Sequence, residues 1–242
     1  MIILAAGMPR AGSGWHYNLV RDLMKTLGYR DTCDIRTAYH LESILTEVNC
    51  NIGVLSLRRV GMILVPALAG NNFVIKAHAG PTRWSRLLSK YGWLRVTYIY
   101  RDPRDAMLSA YEYGRRSIEK GRPNFFSQFD TFEKTLDFMT DYVHIWEEWM
   151  KEPNIHSLRY EDLLQNYEEE AARLAAFLGI PPEKAKPVLE KYRPVNASAE
   201  QRGLHFFKGK IGRFKEKYSP EEQEKMMKRF RNALEKMGYA NA

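Results

Sequence analysis

The chain has 242 residues, enough for one domain with a sizeable core and short for two. Hydrophobic residues make up 45% and charged residues 27%, which excludes a disordered, fibrous or collagen-like chain. Lys plus Arg outnumber Asp plus Glu by 37 to 29; the resulting +8 suits nucleic acid, an anionic membrane or a small polyanionic ligand, and charge leaves that choice open.

In chain order, Ile2 to Ala6 is a continuous apolar run stopped by Gly7 and Pro9, a strand pattern; it is too short, and lacks the charged start, for a signal peptide. Trp15 to Leu27 has helical spacing, with Gly28 placed to end it. Residues 29–70 are the least legible part; the apolar stretch Val60 to Gly70 is short for a membrane span and is broken by Pro66. The region's two cysteines, Cys33 and Cys50, form neither a metal-type pair nor a framework and are expected as reduced thiols at buried or half-buried positions, with a disulfide as the alternative, in a cytoplasmic protein. Strands are predicted at Phe73–Lys76, Arg95–Tyr100 and Ile155–Leu158, and helices over Asp105–Glu119, Phe132–Met150 and Glu168–Leu178. Ser219-Pro220-Glu221-Glu222 opens a last helix with a capping box. Strands alternating with helices predict a single α/β domain with a mostly parallel sheet, although the strand order is not readable.

Two turns carry candidate chemistry. The first strand runs through Gly7-Met8-Pro9-Arg10-Ala11-Gly12-Ser13-Gly14 into a helix, an order that aims backbone N–H groups at a phosphate-like anion. In the nucleotide triphosphatase pattern G-x-x-x-x-G-K-[ST], Gly7 and Gly12 fit. Ser13 stands in place of the lysine and Gly14 in place of the magnesium-binding hydroxyl, so triphosphate chemistry loses two parts. The available cation is Arg10. The second turn, Arg101-Asp102-Pro103-Arg104-Asp105, follows a predicted strand, with Ser109 on the next helix. Arg101 and Ser109 together suit one phosphate at the carboxyl end of a parallel sheet, while a capped helix with surface ion pairs explains the pattern equally.

Pro9-Arg10-Ala11-Gly12-Ser13-Gly14-Trp15 resembles the 5′-phosphosulfate loop of the sulfotransferases that use 3′-phosphoadenosine 5′-phosphosulfate (PAPS), P-K-S-G-T-T-W in many members. Tyr100 to Ser109 is similar to their 3′-phosphate motif, and Arg159-Tyr160-Glu161-Asp162-Leu163 and Phe207-Lys208-Gly209-Lys210-Ile211-Gly212 extend the resemblance over nearly the whole chain. It implies one sulfotransferase domain over residues 1–242, PAPS as donor and 3′,5′-bisphosphoadenosine (PAP) as product, with no metal. The donor site it implies comprises Arg10, Ala11, Gly12, Ser13, Gly14, Trp15, Arg101, Ser109, Tyr160, Lys208 and Gly209. Trp15 would stack on adenine, with a core anchor as the competing reading. Lys76-Ala77-His78 resembles a K-x-H segment that carries the general base on histidine, with Lys76 beside the leaving oxygen and Arg10 completing the charge. His16 follows the loop tryptophan and is a lesser candidate for lining the site; His40, His144, His156 and His205 are left structural.

The chain departs from the family at Arg10 for lysine, Ala11 for serine, Gly14 for Thr/Ser and Phe207 for the arginine of R-K-G. Two other readings stay open: a P-loop kinase, which needs the groups missing at 13 and 14, and an inactive nucleotide-binding or nucleic-acid-binding protein of the same fold. The acceptor, a small molecule or a glycan, is expected against loops 29–70 and 114–135, where Tyr39, Phe125, Phe126 and Phe129 offer an apolar wall. No nucleic-acid motif and no membrane element accompanies the basic residues near the C-terminus.

Overall fold

The computed structural model describes residues 1–194 and 210–240. Strands β1 (Ile2–Gly7), β2 (Phe73–Ala77), β3 (Leu94–Tyr100) and β4 (Ile155–Arg159) form one wholly parallel sheet in the order β2-β1-β3-β4. A parallel sheet covered on both faces favours unbroken apolar strands, and every residue of β1 and β2 is buried. β1 is flanked by β2 on one side and β3 on the other, so the chain changes direction across the sheet at β1. The crevice beyond the ends of β1 and β3 is the switch point where such folds bind ligands.

Helix α1 (Ser13–Lys25) packs on β1 and β2. Its end is a Schellman turn: Tyr29 N–H donates to the Met24 carbonyl at 3.3 Å and Gly28 N–H to Lys25 at 3.0 Å, with Gly28 at φ +83°. Helices α2 (Thr32–Ala38) and α3 (Leu57–Leu68) follow, and α4 (Arg83–Lys90) starts from a Thr82/Ser85 capping box. Helix α5 (Pro103–Glu119) begins two residues before the predicted Asp105, because Pro103 occupies the first turn and the Asp102 carboxylate caps Arg104 N–H. Beyond a 3₁₀ turn (Phe125–Gln128), α6 spans Phe132–Met150 and is capped by Thr131. Helices α7 (Tyr160–Gln165), α8 (Tyr167–Phe177), α9 (Pro182–Lys191), α10 (Phe214–Lys217) and α11 (Pro220–Lys236) complete the chain. The predicted Ser219/Glu222 capping box is present.

The stretch tested as a membrane span belongs to α3, where Pro66 sits in the last turn. Among the described residues no helix is long and apolar enough to cross a membrane.

Candidate active site

The loop after β1 is shaped by contacts that admit no side chain. A Cβ on Gly7 would lie 2.6 Å from Ile99 Cγ2 and 2.9 Å from its carbonyl oxygen, and Met8 N–H donates to that same carbonyl. Gly12, at φ +76°, is the residue before α1, and a Cβ there would meet the Tyr160 ring at 2.8 Å. Arg10 also takes a left-handed backbone at φ +65°, an uncommon conformation for a residue with a side chain. Among the described residues the start of α1 has no side-chain cap, and its first turn contains no acidic residue. The first-turn N–H groups at Ser13 and Gly14 thus have no side-chain cap among the described residues, an arrangement suited to an anion.

Across the switch point, β3 delivers Arg101 into the same space. Arg101 is 8% exposed, and its Nη1 donates to the Arg10 carbonyl at 3.4 Å. Nη2 donates to the Lys210 carbonyl at 3.0 Å and contacts Asp105 Oδ2 at 3.5 Å. Its guanidinium lies 4.6 Å from the centre of the Tyr160 ring. Nε stands 3.9 Å from Glu161 Oε1 and is a buried N–H with no hydrogen-bond partner among the described residues. A buried donor of that kind, beside an uncapped helix start, fits a phosphate.

Arg10 turns toward the second site. Its Nε donates to Ser109 Oγ at 3.3 Å, while the guanidinium lies 4.3 Å from the Tyr113 ring centre and 5.6 Å from that of Phe126. Burial, with Arg116 and Arg101 adding repulsion, lowers its pKa to about 10, and it stays charged at neutral pH. Ser109 is half-buried on α5.

On the β2 side, His78 Nδ1 lies 2.6 Å from the Gly7 carbonyl oxygen. A carbonyl only accepts, so Nδ1 carries the proton and Nε2 keeps a lone pair. Burial and the nearby charges of Lys76 and Arg10 lower the imidazole to about 3, holding it neutral. Burial, then Arg10, brings Lys76 down to about 8. Lys76 is 7% exposed and points from the end of an outer strand.

Contacts and charge interactions thus link Arg10, Gly12, Lys76, His78, Arg101, Ser109 and Tyr160 near the ends of β1, β2 and β3, with Ser13 and Gly14 opening α1 and Ala11 buried in the loop. Trp15 is placed differently. Its indole is fully buried, stacked on Tyr167 at 6.0 Å with Nε1 donating to the Tyr192 carbonyl at 3.1 Å, which is the geometry of a core anchor. His16 is fully buried, with neither ring nitrogen hydrogen-bonded among the described residues. Lys208, Gly209 and Phe207 lie outside the described residues.

Three supporting residues had no assigned role in the sequence. Asp105 accepts from Gly212 N–H at 2.7 Å and Phe214 N–H at 3.0 Å, hanging the later segment on α5 beside Arg101. Glu161 accepts from Asp102 N–H at 3.2 Å and from the Tyr239 hydroxyl. Tyr113 carries Arg10. The first two stand inside the R-D-P-R-D and R-Y-E-D-L motifs, and that placement was the available signal.

Among the described residues no group of His, Cys, Asp and Glu side chains could hold a metal ion. A four-stranded parallel sheet with a glycine-rich loop after its first strand and an arginine hydrogen-bonded to that loop defines an α/β protein whose switch point suits a phosphate-like anion. The sulfotransferase domain family matches residues 2–238, and the chain belongs to that family. Sulfotransferase 6B1 of Danio rerio is 24% identical over 153 residues, covering 58% of this chain and 52% of the relative. Sulfotransferase 4A1 of Mus musculus is 24% identical over 188 residues, covering 75% and 66%. The chain therefore spans between half and two thirds of the length of these relatives. In fold it is similar to mouse sulfotransferase SULT7A1 complexed with PAP, with a TM-score of 0.61 at 16% identity over 97% of this chain and 84% of that one. Retinol dehydratase in complex with androsterone and inactive cofactor PAP gives 0.56 at 21% identity over 96% and 80%.

Proposed function

We propose that this chain is one sulfotransferase domain over residues 1–242, moving a sulfuryl group from PAPS to a hydroxyl or amine of an acceptor. The observation that carries the reading is His78: its Nδ1 is engaged by the Gly7 carbonyl, and burial with the charges of Lys76 and Arg10 keeps the ring neutral. A neutral imidazole held in one tautomer beside two cations suits removal of a proton from an acceptor nucleophile.

PAPS, when bound, supplies the sulfuryl group and a phosphate leaving group. The first-turn N–H groups of α1 would hold its 5′ end, and Arg101 with Ser109 its 3′-phosphate. Lys76 would offset charge on the leaving oxygen, and Arg10, bound to Ser109, spans both ends. Positioning and charge stabilisation of this kind are expected to provide most of the rate. The PAP complexes of SULT7A1 and retinol dehydratase support the choice of donor. Lys208 and Gly209 complete the 3′ site in this reading, and Trp15 serves it by anchoring α1 rather than by stacking.

The acceptor is a small molecule or glycan, with no nucleic acid, membrane or metal taking part, and the setting is cytoplasmic. Phe125 is 60% exposed and stands in an aromatic group with Phe126, Phe129 and Phe138, next to Tyr113 and Arg10. That wall supports an acceptor with an apolar face. The test is His78→Ala, which should lower transfer by roughly 10²–10⁴-fold while PAP still raises the melting temperature. Transfer by the variant at the wild-type rate removes His78 from the mechanism. A protein stabilised by ATP-Mg and not by PAP removes the donor assignment.

A further inference from the structure

β2 is an outer strand of the sheet, and two pieces of the region 29–56 cover its free edge. The Thr32 hydroxyl, in the first turn of α2, donates to the Val74 carbonyl. Further along, Lys76 N–H donates to the Cys50 carbonyl at 3.2 Å, and Ile52 N–H donates to the Lys76 carbonyl at 2.9 Å. Each piece carries one of the chain's two cysteines, Cys33 next to Thr32 and Cys50 at the bond to Lys76. Both thiols are free, and their Sγ atoms are 3.7 Å apart.

Two sulfurs in van der Waals contact need a closing movement of less than about 2 Å to reach disulfide length. The two ends differ in access. Cys33 is exposed and Cys50 is 0% exposed. Asn49 and Cys50 hold left-handed backbones at φ +60° and +43°, a strained turn fixed by the ladder to Lys76 and by Asn51 N–H bonding to Thr46 Oγ1 at 2.9 Å. Burial pushes the Cys50 thiol up to about 12, which makes it the slower, second reactant.

We propose that Cys33 and Cys50 are a redox-active pair that closes to a disulfide by exchange with a low-molecular-weight disulfide, stapling α2 to the Cys50–Ile52 segment over the edge of β2 beside Lys76. The Cys33 thiolate attacks one sulfur of the small disulfide, forming a mixed disulfide and releasing one small thiolate. The Cys50 thiolate then attacks Cys33 Sγ and releases the second. Two protein thiols are oxidised, one small disulfide is reduced to two thiols, and the thiol protons go to the released thiolates.

The test is intact mass and peptide mapping of the full chain, reduced with dithiothreitol and then equilibrated with oxidised glutathione. The wild type should lose the mass of two hydrogens and yield a peptide linking residues 33 and 50. Cys50→Ser should stop with one glutathione on Cys33, and Cys33→Ser should stay unmodified. The oxidised wild type should melt above the reduced form, a difference that Cys33→Ser abolishes. A wild type that stops at the Cys33 mixed disulfide, or cross-links only between chains, overturns the proposal, and this result decides it even where a variant fails to fold. Neither readout needs nucleotide or sulfuryl transfer, so a failure here is distinct from a failure of the sulfotransferase reading.

Discussion

The two candidate anion sites, in the loops after β1 and after β3, are built from different materials. The first is made of main chain: glycines pressed against Ile99 and Tyr160, and a helix start that, among the described residues, neither a side-chain cap nor an acidic residue occupies. The second is made of side chains, with Arg101 propped between Asp105, Glu161, the Tyr160 ring and the Lys210 carbonyl. A main-chain cradle is fixed by what cannot be there, and it tolerates almost no added atom. A side-chain cradle is fixed by what surrounds it, and losing one brace weakens it by degrees. Arg10 belongs to both, since its backbone shapes the first and its guanidinium reaches Ser109 in the second.

That contrast can be broken by substitution. Gly12→Ala should do the most harm, because it combines a left-handed φ with a 2.8 Å approach to Tyr160. We expect a loss of roughly 2 kcal/mol or more in stability, read by denaturant melts, and no detectable PAP-induced shift. Arg101→Lys keeps the charge and removes the fork. PAP affinity should fall about 10–100-fold, measured by calorimetry, with the fold intact. If Gly12→Ala is the milder of the two, the main-chain account of the first site is wrong.

Acid provides a subtler test centred on the first site. His78 and His16 are lowered to about 3 and His156 to about 4, in each case chiefly by burial. The unfolded chain protonates these groups near their ordinary 6.5, so it binds more protons than the folded chain from 6.5 down to about 4 for His156 and about 3 for His78 and His16. Their stabilising contribution is therefore present above pH 6.5 and lost as pH falls. The melting temperature should drop through that window, and His156→Gln should flatten the slope. Smallest of all is Ser109→Ala, which removes one hydrogen bond to Arg10 and should weaken PAP binding only several-fold, by about 1 kcal/mol.

The strands were legible because a covered parallel sheet leaves little sequence freedom: Ile2–Ala6 and Arg95–Tyr100 are apolar or β-branched throughout the buried register. Helices α6 and α11 were legible through caps and long apolar spacing. Helices α2, α3 and α4 were missed for separable reasons. The first is a seven-residue piece, and the second is apolar nearly all round, with Leu57, Val65 and Leu68 facing solvent and Pro66 inside. The third is only eight residues long, with Ser85 and Leu88 its buried residues. At the site, spacing in sequence identified which residue types converge, and the partner of each atom was out of reach. That His78 binds the Gly7 carbonyl, and that Arg10 leaves its own loop for Ser109, depends on contacts between residues distant in the chain. Asp105 stood in plain view in the motif, yet its hold on Gly212 and Phe214 is a tertiary fact.

The position of β1 also bears on how the chain reaches this state. Ile2 pairs with Phe73 on one side and Leu94 on the other, so the first strand made sits at the centre of a sheet it cannot complete until both later strands exist. Every contact of β1 within the sheet closes a long loop, and loop closure of that kind slows folding. During synthesis the apolar run Ile2–Ala6 waits without its neighbours, the condition under which nascent chains aggregate or recruit chaperones. The geometry that gives the ligand crevice its location therefore makes this chain's folding yield depend on how it is protected while its first strand has no partner.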